Sequence, residues 1–206
     1  MNTQLKPLIE QITKDPFVHA QWLNTLSFME NTGAKKISRF ESKTDVSLLI
    51  LKHAAEEHRH AYYLKKQISK LAPTGFENYE DAWLISPQTS KYYLDMLDVW
   101  VSKYIKKTLG LSGYDLKWAS YLLVTYAIEV RADELYPIYQ EILTAQQSKI
   151  QVKSIIVEEV GHLNEMKAQL AEFSPEWETH AAVACELENQ LFQSWIQSLS
   201  QLYPLN

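Results

Sequence analysis

Apolar residues recur every three to four positions along most of the chain, and no stretch alternates apolar and polar long enough to suggest a sheet. The pattern predicts an all-α protein. Asp15-Pro16 offers an N-cap and a first-turn proline for a helix over 16–40. Thr44 or Asp45 starts the next helix, which Pro73-Thr74-Gly75 ends near Ala72. Residues 73–88 read as a loop, and a helix over 90–109 follows, stopped by Gly110 and Gly113. Further helices are expected over 114–144, 148–173 and 175–202, the first of them kinked or broken one turn before Pro137. Helices 16–40 and 44–72 then form one hairpin, and 114–144 with 148–173 a second. A long crossover carrying its own helix joins the two hairpins, and a C-terminal helix follows.

Carboxylates and imidazoles interrupt the apolar stripes. At about 100° per residue, Val46, Ile50, His53, His60, Leu64 and Ile68 share a face with Glu57, while Glu56 sits at the edge of that stripe. Val152, Ile155, His162, Met166 and Leu170 surround Glu159 in the same way, with Glu158 at the edge. Glu30 stands among Leu23, Leu26 and Ile37, and Glu129 among Leu122, Ala132 and Tyr136. Glu57-x-x-His60 recurs as Glu159-x-x-His162 at an offset of 102 residues, and Ile50, Lys65 and Gln67 meet Val152, Lys167 and Gln169 at the same offset. The two hairpins read as a duplication. An isolated buried carboxylate is costly and normally survives only when paired or bound to metal. Two Glu-x-x-His helices and two single-Glu helices form the ligand set of a carboxylate-bridged two-metal centre in a four-helix bundle. Oxygen and imidazole ligands suit iron or manganese.

Composition narrows the classes. The 206 residues suffice for one domain, taken as 1–206, with a sizeable core. A net charge of −5 gives no general reason to expect nucleic acid or an anionic membrane as partner. The basic clusters Lys35, Lys36, Arg39 and Lys103, Lys106, Lys107 fall late in helices, where cations suit the helix dipole. Cys185 is alone, which excludes an internal disulfide, a thiolate metal site and a Cys-x-x-Cys module. The N-terminus has no apolar leader, and no uncharged run approaches the roughly 18 residues of a membrane span, so a cytoplasmic protein is expected. Twelve tyrosines and six tryptophans suggest a bulky aromatic core and a face for a homodimer.

Over residues 16–72 and 114–173 the chain resembles the ferritin-like di-iron carboxylate superfamily, which includes ferritins, rubrerythrins, bacterial multicomponent monooxygenase hydroxylases, aldehyde-deformylating oxygenases and a tRNA hydroxylase. The resemblance implies a ferritin-like four-helix bundle holding two irons, with manganese as the alternative. Glu30, Glu57 and His60 would hold one ion and Glu129, Glu159 and His162 the other, with Glu57 and Glu159 as bridges and catalytic carboxylates. It further implies an O₂-activating oxidase or oxygenase that acts on a small organic substrate and draws on a separate electron donor. A ferroxidase or peroxide-scavenging iron-handling protein is the first alternative, and a non-enzymatic helical interaction protein the second. The net charge disfavours the tRNA-hydroxylase version, which survives through the two lysine clusters.

Three further residues are singled out. His53 stands one turn before Glu57 on the same face, with Ile155 as its counterpart in the other half. It is expected to orient Glu57 or Glu30, the alternative being an extra ligand to one ion, as in di-iron N-oxygenases. Asp133 is a candidate acceptor for a ring N–H of a ligand histidine. Tyr126 is a candidate oxidisable residue near the ions, with plain packing as the more ordinary reading.

Overall fold

The computed structural model describes residues 4–40, 44, 47–71 and 74–204. Seven α-helices build it: α1 (Leu5–Ile12), α2 (Pro16–Ser38), α3 (Leu48–Gln67), α4 (Pro87–Leu109), α5 (Gly113–Ala145), α6 (Lys153–Phe173) and α7 (Trp177–Leu202). Short 3₁₀ turns occupy Ile68–Lys70 and Asp81–Trp83, and there is no strand among the described residues.

Local chemistry sets the helix starts. The Asp15 carboxylate accepts from the backbone N–H groups of Phe17 and Val18 at 2.8 and 3.0 Å, and Pro16 occupies the first turn of α2. Ser47 caps α3, accepting from the N–H of Leu49, in place of Thr44 or Asp45. Asp45, Val46 and the expected stop at Ala72 and Pro73 lie outside the described residues. The crossover helix begins at Pro87, three residues earlier than the pattern suggested, with the proline again in the first turn.

Three expectations need correcting. Helix α5 runs unbroken through Pro137. Pro137 and Asp133, the residue whose carbonyl loses its helical partner, both lie on the exposed side of the helix, where water replaces the missing bond. Helix α6 starts at Lys153 rather than Ser148 because Ile150 and Val152 are fully buried. The chain ahead of it is pinned by side-chain amides: Gln67 bonds both the N–H and the carbonyl of Gln151, and Gln140 accepts from the N–H of Val152. Helix α1 was not anticipated, although Leu5, Leu8, Ile9 and Ile12 have helical spacing and are all fully buried. Eight residues are too short to hold a helix alone, and α1 takes its order from packing on α2, α5 and α7.

Helix α2 packs on α3 and α5 on α6, giving the two expected hairpins, while α4 and α7 pack on each other and on α5. Aromatic stacking joins the second group to the first: Trp195 of α7 lies parallel to Trp22 of α2, with ring centroids 5.6 Å apart, and to Tyr93 of α4 at 5.9 Å. Between α5 and α7 the Arg131 guanidinium meets the buried Glu188 carboxylate, which also accepts from Tyr93. No helix among the described residues is long and apolar enough to cross a membrane.

Candidate metal centre

Four helices each deliver carboxylate or imidazole to one buried point. Glu30 comes from α2, Glu57 and His60 from α3, Glu129 from α5, and Glu159 and His162 from α6. In each Glu-x-x-His the spacing of three places both side chains on one helical face, one turn apart. Ligand atoms of Glu30, Glu57, His60 and Glu159 lie within 4.8 Å of one another, as do those of Glu57, Glu129, Glu159 and His162. Glu57 and Glu159 belong to both groups. The structure therefore brings together all six residues singled out as ligands.

The histidines are oriented for this. His60 Nε2 is 3.0 Å from Glu158, and His162 Nε2 is 2.8 Å from Glu56. Each glutamate lies directly before the inward one on its own helix and reaches the histidine of the opposite helix. With Nε2–H donating outward, the Nδ1 lone pair of each ring points at the cluster. There His60 Nδ1 lies 3.1 Å from Glu159, and His162 Nδ1 lies 3.4 to 3.7 Å from Glu57, Glu159 and Glu129. Neither Nδ1 atom makes a hydrogen bond, and neither does Glu129 Oε2. Buried polar atoms are normally satisfied. Three orphaned acceptors converging on one point is the arrangement a cation completes.

The electrostatics agree. Burial pushes the Glu30 carboxyl well above the usual range, and the neighbouring Glu57 and Glu159 carboxylates push it further. Glu129 is raised by burial and by Glu159. Burial would also raise Glu159, but contacts with His162 and His60 outweigh it and hold that carboxyl low. Burial would lower His60 and His162, yet the surrounding carboxylates raise both. Without a cation, protons must do what positive charge would otherwise do at this point.

The remaining candidates lie elsewhere. His53 is outside both ligand groups; its Nε2 is 2.6 Å from Glu165, which also pairs with Lys52, and its ring lies against that of His162 with centroids 4.8 Å apart. Asp133 is exposed, and the ring N–H groups are taken by Glu56 and Glu158 instead. Tyr126 packs edge-on against Trp177 of α7, which makes it a packing residue. The tyrosines at the centre are Tyr136, whose hydroxyl donates to Glu30, and Tyr121, whose buried hydroxyl has no hydrogen-bond partner. Burial and the nearby Glu129 carboxylate raise the Tyr121 phenol. The sequence pattern held a clue to the outer glutamates, since the repeat is Glu-Glu-x-x-His in both copies.

A cavity of about 800 Å³ opens onto the cluster, and Glu30, Glu57, Glu129 and Glu159 form part of its wall. The rest is mostly apolar and comes from α2, α4, α5 and α7, with Leu97, Val124, Phe192 and Trp195 among the lining residues. No protein-family model, curated protein or solved structure matches the chain.

Proposed function

We propose that the chain is a ferritin-like di-metal carboxylate protein that holds two irons, or manganese in their place, and uses O₂ to oxidise an organic substrate. The observation that carries this reading is the apolar cavity of about 800 Å³ ending on the buried carboxylates of Glu57, Glu129 and Glu159 and the half-buried one of Glu30. That size lies within the roughly 300–1,000 Å³ of small-molecule sites. A protein that only oxidised Fe²⁺ would have no use for an apolar chamber beside its ligands.

The donor set fits two divalent cations. Four carboxylates carry four negative charges, which two such ions neutralise, and the two inward imidazole nitrogens complete the donors. Glu30, Glu57 and His60 would hold one ion and Glu129, Glu159 and His162 the other, with Glu57 and Glu159 shared. When bound, a pair of reduced iron ions supplies electrons to O₂.

The protein's own groups do the rest. Glu158 and Glu56 accept the Nε2 protons of His60 and His162, fixing the tautomer that aims Nδ1 inward. Tyr136 donates to Glu30 and holds its carboxylate in place. Tyr121 keeps its phenolic proton in the cavity, next to Glu129, where it can be donated to a bound molecule. The apolar walls from α4 and α7 exclude water from the chamber.

Anaerobic loading with Fe²⁺ followed by exposure to air tests the reading. Two ions per chain and O₂ uptake are expected, both lost in Glu57→Ala with Glu159→Ala. Loaded protein that is inert to O₂ would refute it. Oxidation and retention of many more ions than two per chain would replace it with iron storage.

A further inference from the structure

The cavity described above has an uneven rim. Of the residues that line it, only three are exposed: Arg39, Tyr114 and Lys117. Arg39 closes the C-terminal end of α2, and Lys117 stands in the first turns of α5. Neither side chain makes an ion pair among the described residues. One turn inside, Lys36 also lines the cavity, but Asp98 and the carbonyl of Leu94 occupy its ammonium group. The other cation in the wall, Arg131, is neutralised by Glu188 and Glu134. Apart from the hydroxyls of Thr32, Ser102, Ser120 and Thr125, the rest of the wall is aliphatic and aromatic up to the carboxylate cluster. The cations not used by the fold therefore stand at the mouth, and the apolar surface lies between them and the ligands.

From this polarity we infer that the substrate is an anionic amphiphile: an apolar chain or ring system fills the chamber, and a carboxylate or phosphate head stays at the mouth between Arg39 and Lys117. The opposite orientation would leave Arg39 and Lys117 without an anionic partner and set the apolar part of the molecule at the exposed mouth. A cationic amphiphile would be repelled at the mouth. Arg39 presents a planar fork suited to either oxyanion, and Lys117 adds a point charge. An anion held there leaves the far end of the molecule next to the cluster, so oxidation falls on the apolar part and away from the head.

The inference rests on the oxidase reading for its chemistry but is tested by binding alone, in metal-free protein. Trp195 lines the chamber and serves as a fluorescent reporter. Dodecanoate, dodecyl phosphate and dodecanol are titrated against the wild-type chain and against Arg39→Gln with Lys117→Gln. Both changes are at exposed positions and leave the fold intact, which circular dichroism verifies. Loss of two partly screened charge contacts is expected to weaken the anions about tenfold, and added salt should weaken them in the wild type. Dodecanol should change less than about twofold, within ordinary surface-mutation effects. The better-bound anion identifies the head group. Equal binding of dodecanol and both anions, or anion binding unaffected by the double substitution, would overturn the inference. If the anions bind as expected while iron-loaded protein ignores O₂, the oxidase reading fails and the ligand class stands.

Discussion

Glu158→Ala isolates the contribution of a residue outside the cluster that holds one of its proposed ligands in place. His60 is fully buried, and its Nε2 has Glu158 as its partner at 3.0 Å. Removing that carboxylate leaves a buried ring nitrogen unpaired, a cost of roughly 1–3 kcal/mol. It also frees the ring to adopt the tautomer that places the proton on Nδ1, inside the cluster. Loss of such a supporting carboxylate typically weakens metal affinity 10–100-fold, or about 1.4–2.8 kcal/mol, which matches the desolvation figure. The carboxylate of Glu158 is only partly buried and also pairs with Arg59, so water recovers part of the loss and the lower half of that range is expected. Competition with a chromophoric chelator measures it: both ions should still bind at saturation, one of them more weakly. Glu158→Gln keeps an acceptor oxygen and should lose less. Glu56→Ala should weaken the other ion through His162. If Glu158→Ala binds both ions within about twofold of wild type, the support assigned to Glu158 is wrong.

Three other outcomes follow from the same geometry. His53→Ala should retain both ions, because its Nε2 is engaged with Glu165 and the residue lies outside both ligand groups; loss of one ion in metal analysis would restore it as a ligand. Arg131→Ala strands the buried Glu188 carboxylate and should cost about 3–5 kcal/mol in denaturant unfolding, whereas the double change Arg131→Met with Glu188→Leu should recover most of it; a cost below about 1 kcal/mol would mean the pair is not desolvated. His19 is buried against Tyr139, and burial lowers its imidazole from 6.5 to about 4. It is neutral in both states above pH 6.5, and as pH falls towards 4 only the unfolded chain takes up the proton. Stability of the metal-free protein should therefore fall over that window by up to roughly 3 kcal/mol on this account, and His19→Gln should flatten the fall.

The inward face of each helix was legible in the sequence because it is a property of one helix alone. A period of 3.6 residues separates Glu57 from Glu56 and Glu159 from Glu158 without knowledge of the neighbours, and all four side chains lie where that period puts them. What the edge residues do is decided by the next helix. A side chain about 100° off the inward stripe points along the cleft between helices, and in the α3–α6 cleft it meets the opposite histidine. Single-helix arithmetic assigns no partner there. The same limit explains Asp133 and Tyr126: both flank Glu129 in sequence, but Asp133 faces water and Tyr126 faces Trp177. Tyr136, a full seven residues from Glu129, returns to the same face and reaches Glu30 across the bundle. The start of α6 escaped for a related reason, since buried Ile150 and Val152 fit a helical stripe as well as a pinned, irregular segment.

The joint between the hairpins gives the cluster a structural meaning as well. Most of the core is hydrophobic, yet α3 and α6 meet through charged and imidazole side chains: Lys52 and His53 on Glu165, Arg59 and His60 on Glu158, Glu56 on His162. Such pairs contribute little in exposed positions, and those that reach inward end on carboxylates that repel one another. Nothing at this joint resembles the aromatic stack of Trp22, Trp195 and Tyr93 that ties α2 to α4 and α7. A fold that needed only a stable seam between α3 and α6 would place leucines there, since well-packed apolar residues usually match or exceed buried ion pairs in stability. Placing Glu57, His60, Glu159 and His162 at the seam, with Glu30 of α2 and Glu129 of α5 beside them, makes sense where a cation supplies the missing attraction. A cation bound there would draw on ligands from both hairpins at once and complete the bundle.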